Sequence, residues 1–166
     1  MENRILNDLE AIKLAILIEE RGERFYRLSA ERVDDPSAKS LLIKLADDET
    51  EHRDTFQKLY NEFLNQKEQF SDDYLFDQDV SAYFSAIASS LLFPSEDEQD
   101  RIIEELTGVG DILKFGIQTE KDSILLYTQL VISSKLPEAK DAFRRLLREE
   151  KQHLIDLQKL ASSIKS

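Results

Sequence analysis

Arg148-Glu149-Glu150-Lys151-Gln152-His153 is the stretch that decides the fold, because Asp48-Glu49-Thr50-Glu51-His52 is an earlier copy of it. The chain contains two histidines, and each follows a glutamate by three residues. On an α-helix, residues three apart lie on neighbouring faces, so each pair can direct a carboxylate and an imidazole at one point. Each pair is therefore a candidate half of a metal site.

A second glutamate accompanies each pair at the same distance. Glu19 precedes Glu49 by 30 residues, and Glu120 precedes Glu150 by 30. These residues therefore recur at an offset of 101 positions. Other residues recur at that offset: Ile16/Ile117, Pro36/Pro137, Leu45/Leu146 and Leu59/Leu160. The sequence predicts an internal duplication, with one half of a metal site in each copy.

The composition limits the chemistry of these residues. The chain has 166 residues, 22 of them basic and 34 acidic, and its net charge of −12 argues against nucleic acid or an anionic membrane as partner. It contains no cysteine, so any metal must be held by oxygen and nitrogen. No apolar run approaches the ~20 residues of a membrane span, and residues 1–10 lack the pattern of a signal peptide. We expect a single cytoplasmic domain over residues 1–166.

Apolar residues spaced alternately by four and three predict four long helices of a bundle. Their predicted bounds are about 4–33, 36–65, 111–134 and 137 onward. In the third helix the predicted buried face includes Ile117, Ile124 and Val131. The two helical pairs, over about residues 11–60 and 112–161, are expected to form an all-α four-helix bundle.

Residues 66–110 are predicted to form a long crossover between the second and third helices. If both glutamate–histidine pairs lie at the same height in the bundle, the second and third helices run parallel. The chain must then travel ~45 Å along the bundle from the end of the second helix to the start of the third. A short helix is predicted over about residues 80–92 and another from Ser95, three residues before a glutamate, as in a capping box. Gly108 and Gly110 are expected to break the chain before the third long helix.

Six polar residues fall at the middle of the predicted buried faces: Glu19, Glu49, His52, Glu120, Glu150 and His153. Four ionised carboxylates desolvated together would cost more than a domain's net stability of ~5–15 kcal/mol, so protons or cations must neutralise them. Two divalent ions would supply the matching charge. Oxygen-rich ligation with one imidazole per ion suits iron or manganese. The neighbouring acids are predicted to form a solvated face: Glu20, Asp47, Asp48, Glu51 and Glu149.

Four motifs resemble those of the ferritin-like di-iron proteins, most closely the rubrerythrin erythrin domain and bacterioferritin. The motifs are Glu19-Glu20-Arg21-Gly22-Glu23-Arg24-Phe25-Tyr26, Glu49-Thr50-Glu51-His52, Glu120-Lys121-Asp122-Ser123-Ile124-Leu125-Leu126-Tyr127 and Glu150-Lys151-Gln152-His153. The resemblance covers nearly the whole chain and implies a ferritin-like four-helix bundle with its long crossover between helices 2 and 3. It also implies two iron ions bridged by Glu49 and Glu150, with one terminal glutamate and one histidine on each ion: Glu19, Glu120, His52 and His153.

Three features bear on how far the resemblance extends. Rubrerythrins carry a C-terminal cysteine-ligated iron domain, and this sequence has no cysteine. They also have a glutamate three residues after the ligand of the third helix, where this chain has Ser123. Tyr26 and Tyr127 lie ~10 Å along their helices from the glutamates. They are either core tyrosines with other polar partners or hydrogen-bond donors to the predicted ligands.

The resemblance implies a cytoplasmic di-iron oxidoreductase of the oxidative-stress type, which reacts with hydrogen peroxide or dioxygen. Because the sequence has no cysteine, flavin motif or haem motif to relay electrons, an external electron-donor protein is expected. The aromatic residues of the crossover favour a homodimer. Two alternatives stay open: a ferroxidase that passes iron into a ferritin-type storage shell, and a metal-free structural bundle with buried ion pairs.

Overall fold

The structure, a computed structural model, describes residues 8–65 and 96–164. Within these ranges the chain forms five helices and no strand: α1 Asp8–Glu31, α2 Pro36–Asn65, α3 Glu96–Glu105, α4 Gly108–Ser133 and α5 Pro137–Ile164. α1 and α2 pack together as an N-terminal hairpin, α4 and α5 as a C-terminal hairpin, and α2 contacts α5. The predicted all-α bundle is confirmed. Among these five helices, none has the length and apolarity needed to traverse a lipid bilayer.

The turn between α1 and α2 has the structure expected from its sequence. Asp35 Oδ2 accepts a hydrogen bond from the backbone N–H of Ala38 at 2.8 Å, so Asp35 caps α2 and Pro36 occupies its first position. α2 therefore spans the residues predicted for it. α1 ends at Glu31 rather than at the predicted residue 33, and Val33 in the turn is buried in the core.

The start of α4 differs from the prediction. Gly108 and Gly110 do not break the chain, since α4 begins at Gly108. Gly108 has a φ of +81°, a conformation that glycine adopts without steric cost. Asp111 Oδ2 accepts hydrogen bonds from the backbone N–H and the hydroxyl of Thr107, at 3.1 and 2.6 Å, and these fix the chain just before the helix. The third long helix thus begins at residue 108 and not at 111.

The buried face of α4 is rotated from the predicted one. Three of its predicted core residues are only partly buried: Ile117, Ile124 and Val131. The residue before each of them is buried instead, and the first of these is Gly116. A Cβ at Gly116 would lie 3.5 Å from both Tyr26 and Leu157, so the backbone of α4 approaches α1 and α5 closely here. A glycine, rather than a large apolar side chain, therefore marks the centre of this face.

Polar contacts hold α3 against α1. Arg24 of α1 donates hydrogen bonds to Gln99 Oε1 at 3.1 Å and to Asp100 Oδ1 at 2.8 Å. Gln99 is buried and donates through Nε2 to the carbonyl oxygen of Arg21 at 2.9 Å. α3 is the second of the two short helices predicted in the crossover. The first, over about residues 80–92, lies outside the described residues.

α1 begins at a contact with the opposite hairpin. Asp8 is buried, and its Oδ2 accepts hydrogen bonds from the backbone N–H groups of Lys135 and Leu136 at 3.3 and 3.2 Å. Burial raises the pKa of Asp8 above its ordinary value, and these hydrogen bonds offset part of the rise. The N-terminal end of α1 is thereby tied to the turn between α4 and α5.

Candidate metal centre

The six predicted ligands converge inside the bundle, and none is more than 7% exposed. They form two groups, in each of which the ligand atoms lie within 4.8 Å of one another. The first group is Glu19, Glu49, His52 and Glu150, and the second is Glu49, Glu120, Glu150 and His153. Glu49 and Glu150 belong to both groups, so they lie between two adjacent positions that an ion could occupy.

Apolar side chains enclose this cluster along the helices. On α2 the ligand pair lies between Leu45 and Phe56, and on α5 it lies between Leu146 and Leu157. None of these four residues is more than 3% exposed. Since they exclude water, electrostatic interactions inside the cluster are stronger than they would be at the surface.

Both imidazoles direct Nδ1 at the carboxylates. His52 Nδ1 lies 3.1 Å from Glu19 Oε2 and 3.1 Å from Glu49 Oε2. It also lies 3.3 Å from Glu150 Oε1. His153 Nδ1 lies 3.6, 3.7 and 3.9 Å from three carboxylate oxygens, which is too far for hydrogen bonds. The two halves therefore share one layout, with the carboxylates closer to His52 than to His153.

Buried atoms of the cluster lack hydrogen-bond partners among the residues that the structure describes. They include Glu120 Oε2 and His153 Nδ1, both in the second group. A buried polar atom left without a partner costs ~1–3 kcal/mol, so such atoms are rare unless something else binds them. Carboxylate oxygens and imidazole nitrogens are the ligands that divalent iron and manganese accept. The residues present therefore fit a pair of divalent metal ions.

Two acids of the predicted solvated face, Asp48 and Glu149, also bind the histidines, a role that the prediction did not include. The Glu149 carboxylate accepts a hydrogen bond from His52 Nε2, and Asp48 Oδ2 lies 3.2 Å from His153 Nε2. The hydrogen bond with His153 lowers the pKa of Asp48 below its ordinary value. Each carboxylate orients one imidazole so that its Nδ1 faces the cluster. Asp48 and Glu149 are also 101 positions apart, and this offset is the signal that could have identified them.

Tyr26 and Tyr127 each donate a hydrogen bond to a predicted ligand on the opposite hairpin. The Tyr26 hydroxyl binds Glu120 Oε1, and the Tyr127 hydroxyl binds Glu19 Oε1. Burial is the main cause that raises the pKa of both phenols well above the ordinary value of tyrosine, and the charge of the bound glutamate is the second. Both tyrosines therefore remain neutral hydrogen-bond donors. Each tyrosine occupies one carboxylate oxygen and leaves the other for an ion.

Protons hold the metal-free cluster together. Burial, followed by the charge of Glu49, raises the pKa of Glu19 and of Glu150 well above the ordinary value. Burial lowers the pKa of His52 and His153, but the hydrogen bonds of His52 with surrounding carboxylates and of His153 with Asp48 favour the charged imidazoles, and both pKa values are raised. Burial raises the pKa of Glu49, but its hydrogen bonds outweigh burial and lower it. Both imidazoles therefore hold their protons to higher pH than exposed histidines do, and Glu19 and Glu150 to higher pH than exposed glutamates do.

Glu23, one helical turn after Glu19 on α1, is not part of the cluster. Its carboxylate pairs with Arg53 at 2.6 Å and with Arg27 at 3.2 Å. Arg27 also reaches Asp47 on α2 at 3.1 Å. The corresponding residue of the C-terminal hairpin is Ile124, so this ion-pair network is confined to the N-terminal hairpin.

A groove between α2 and α5 leads from the surface to the cluster. It encloses about 280 Å³, and its lining includes His52, Phe56, Ala142, Leu146 and Glu149. A water molecule takes up ~30 Å³ in the liquid. The groove is therefore large enough for a molecule the size of hydrogen peroxide or dioxygen, and His52 forms part of its lining.

The two tyrosines allow a symmetric test of the site. Replacing Tyr127 or Tyr26 by phenylalanine removes one hydrogen bond and leaves a buried carboxylate oxygen without its donor. We expect each variant to lower the unfolding free energy of the metal-free protein by ~1–3 kcal/mol, and by similar amounts. Urea denaturation measures the change, with Tyr60→Phe, at a partly buried tyrosine outside the cluster, as control. If Tyr60→Phe lowered the unfolding free energy as much as either variant does, the role of Tyr26 and Tyr127 as donors to the buried glutamates would be contradicted.

Comparisons with known proteins agree with this geometry. A model of the rubrerythrin family matches residues 10–161. A crystal structure of a Thermotoga maritima protein assigned to the ferritin-like diiron-carboxylate proteins aligns with a TM-score of 0.69 at 26% identity, covering 96% of this chain and 97% of that one. The search of curated proteins gives no match. The predicted resemblance is confirmed, and the chain belongs to the rubrerythrin family.

Proposed function

We propose that this chain is a di-iron oxidoreductase that reduces hydrogen peroxide, and more slowly dioxygen, with electrons from a separate carrier protein. The observation that supports this best is the pair of overlapping ligand groups that share Glu49 and Glu150. In this proposal Glu49 and Glu150 would hold both ions, Glu19 and His52 would hold one of them, and Glu120 and His153 would hold the other. Two Fe(II) ions held there would supply the two electrons that reduce the peroxide.

The surrounding side chains hold these ligands in place. Glu149 and Asp48 anchor the Nε2 atoms of the histidines, which leaves Nδ1 as the metal-binding atom. Tyr26 engages Glu120 Oε1 and leaves Glu120 Oε2 without a partner among the described residues, as one-oxygen binding of an ion requires. The ligands are therefore fixed before an ion arrives.

The groove between α2 and α5 supports a role in reactant supply. Reduction of one peroxide to two waters consumes two protons as well as two electrons. The Glu149 side chain is 48% exposed and lines the groove beside His52. In this proposal the protons enter from solvent along the groove and not through His52, whose Nδ1 would be bound to an ion.

Electrons must come from outside these 166 residues. The 166 residues contain no cysteine, and hence no iron–sulfur or rubredoxin-type centre. A separate carrier that delivers one electron at a time, twice per peroxide, completes the reaction. Manganese accepts the same ligands as iron, so the metal content of the protein purified from its source decides between them.

The test begins with protein loaded anaerobically with Fe(II). We expect two ions per chain, one for each group, and no more. One equivalent of hydrogen peroxide should oxidise the irons faster than air-saturated buffer does. No iron should be released, and added reductant should restore the starting absorbance.

Light scattering of the same samples tests the storage alternative. We expect a homodimer, which offers no cavity for mineral. A closed shell that accumulates many irons per chain would instead establish the ferroxidase and storage function. A protein that binds no metal would establish the structural bundle.

A further inference from the structure

The outer side of α5 carries a basic stripe. We define this basic stripe as the positively charged residues spaced three, four or eight apart along the helix: Lys140, Arg144, Arg148, Lys151 and Lys159. All except Lys140, which is partly buried, are exposed. Ile155, 45% exposed, lies between Lys151 and Lys159 on the same stripe. Such a concentration of positive charge is unexpected in a chain with a net charge of −12.

The basic stripe lies directly behind the candidate metal centre. Arg148 precedes Glu150 by two residues, and Lys151 precedes His153 by two. Two residues correspond to a rotation of about 200°, so each basic side chain leaves α5 on the side opposite a predicted ligand. A helix with its side chains is ~10–12 Å in diameter. The width of α5 alone therefore separates the stripe from the cluster.

Most charges of the stripe are not neutralised within the protein. Arg148, Lys151 and Lys159 make no ion pair with any residue in the described part of the chain, and only Arg144 is paired, with Asp141 at 3.4 Å. Some basic residues of the N-terminal hairpin are neutralised by acids. Arg53, for example, pairs with Glu23. The stripe thus presents uncompensated positive charge to solvent.

The duplication shows that neither the fold nor the metal centre requires this stripe. On α2, the positions 101 residues before Arg144, Arg148 and Lys151 hold an apolar, an acidic and a neutral residue: Ile43, Asp47 and Thr50. α2 nevertheless supplies the same pair of predicted ligands as α5. The first and last lysines of the stripe recur on α2 as Lys39 and Lys58, but its three central charges do not, so those three charges need an explanation outside the bundle.

We propose that the basic stripe of α5 is the docking surface for the electron carrier, and that the carrier is an acidic one-electron protein. This inference rests on the function proposed above. Opposite charges steer such a partner to the stripe, while the negative charge of the rest of the chain disfavours other orientations. Arginine is enriched at protein interfaces, and the exposed Ile155 adds apolar surface to the stripe. Each docked carrier loses one electron across α5, and two successive electrons with two protons convert one peroxide into two waters.

A charge-reversal variant tests the docking surface in the iron-loaded protein. The variant is Arg144→Glu with Arg148→Glu and Lys151→Glu, and the probe is a reduced rubredoxin chosen for its net negative charge. We expect kcat/KM for the rubredoxin to fall ~10- to 100-fold at low salt, and the wild-type value to fall as salt is added. The rate at which peroxide oxidises the pre-reduced variant, which needs no carrier, should stay unchanged.

A second triple variant provides a control of equal net charge. Lys39→Glu, Lys58→Glu and Lys114→Glu reverse three exposed lysines elsewhere and should leave the rubredoxin kinetics close to wild type. Equal losses in both triple variants, or no loss in either, would overturn the proposal. The proposal would also be overturned if the wild type bound DNA and the α5 variant lost that binding while its rubredoxin kinetics stayed unchanged. The stripe would then be a nucleic-acid-binding surface. Failure of peroxide to oxidise the pre-reduced wild type would instead contradict the proposed function.

A milder variant guards against misfolding of the charge reversal. Arg144→Gln, Arg148→Gln and Lys151→Gln remove the charges without introducing repulsion. We expect it to fold, by circular dichroism, and to show a smaller loss of kcat/KM in the same direction. A neutral variant with wild-type kcat/KM would also overturn the proposal.

Discussion

Replacing Glu49 by glutamine should remove both metal ions from the protein, not one. The reason is that Glu49 belongs to both ligand groups, and an amide keeps the volume of the carboxylate while losing its charge. Metal analysis after anaerobic loading and dialysis measures the loss. Glu51→Gln, two residues away at an exposed position, is the matched control and should retain the wild-type content.

A graded series adds a second check on the shared position of Glu49. Glu19 belongs to the first group alone, and Glu120 to the second alone. Glu19→Gln and Glu120→Gln should therefore each weaken the binding of one ion more than that of the other. Each variant should keep a metal content between those of Glu49→Gln and the wild type. If Glu49→Gln kept as much metal as either of these variants, the bridging role of Glu49 would be wrong.

Chelating the metals should lower the unfolding free energy by several kcal/mol. An ion that binds only the folded protein stabilises it by about 4 kcal/mol when its free concentration is 1,000 times its Kd. Guanidinium denaturation with and without EDTA, under anaerobic conditions, measures this difference. The Glu49→Gln variant is the control, since a protein that holds no metal should not respond to the chelator.

The effect of the chelator should be larger at pH 8 than at pH 6. In the metal-free protein, the pKa values of Glu19 and Glu150 are raised above 4.5 and those of His52 and His153 above 6.5. The folded chain then binds more protons than the unfolded chain, so its stability falls as pH rises through this range. Metal ions displace these protons and bind more tightly as pH rises. A chelator effect that shrank between pH 6 and pH 8 would contradict these protonation states.

The candidate ligands could be predicted from sequence because the duplication repeats each of them at one offset. His52 and His153 are the only histidines in the chain, and both follow a glutamate on an apolar helix face. Periodicity predicts which way such a face points, and the structure brings all six residues together. Glu149 and Asp48 share that offset too, but they lie on helices that carry many acids, so the offset alone did not identify them as partners of the histidines. The packing of α2 against α5 is what brings Glu149 to His52.

The face of α4 shows a second limit of sequence reasoning. Spacing of apolar residues pointed to Ile117, yet the buried position is Gly116. Glycine contributes nothing to an apolar pattern, although it permits the closest helix approach. The start of α4 was missed for a related reason: a glycine that usually ends a helix can also begin one, as Gly108 does with its positive φ.

The hydrogen bonds between the hairpins have a consequence for biosynthesis. Tyr26 and Glu120 are 94 residues apart, and Tyr127 and Glu19 are 108 apart, so neither bond can form within one hairpin. Contacts of such long sequence separation form late, because they require the closure of a long loop. Both ligand groups also draw on both hairpins. A nascent chain therefore has no complete group of ligands to offer a metal ion until α5 has emerged from the ribosome and docked.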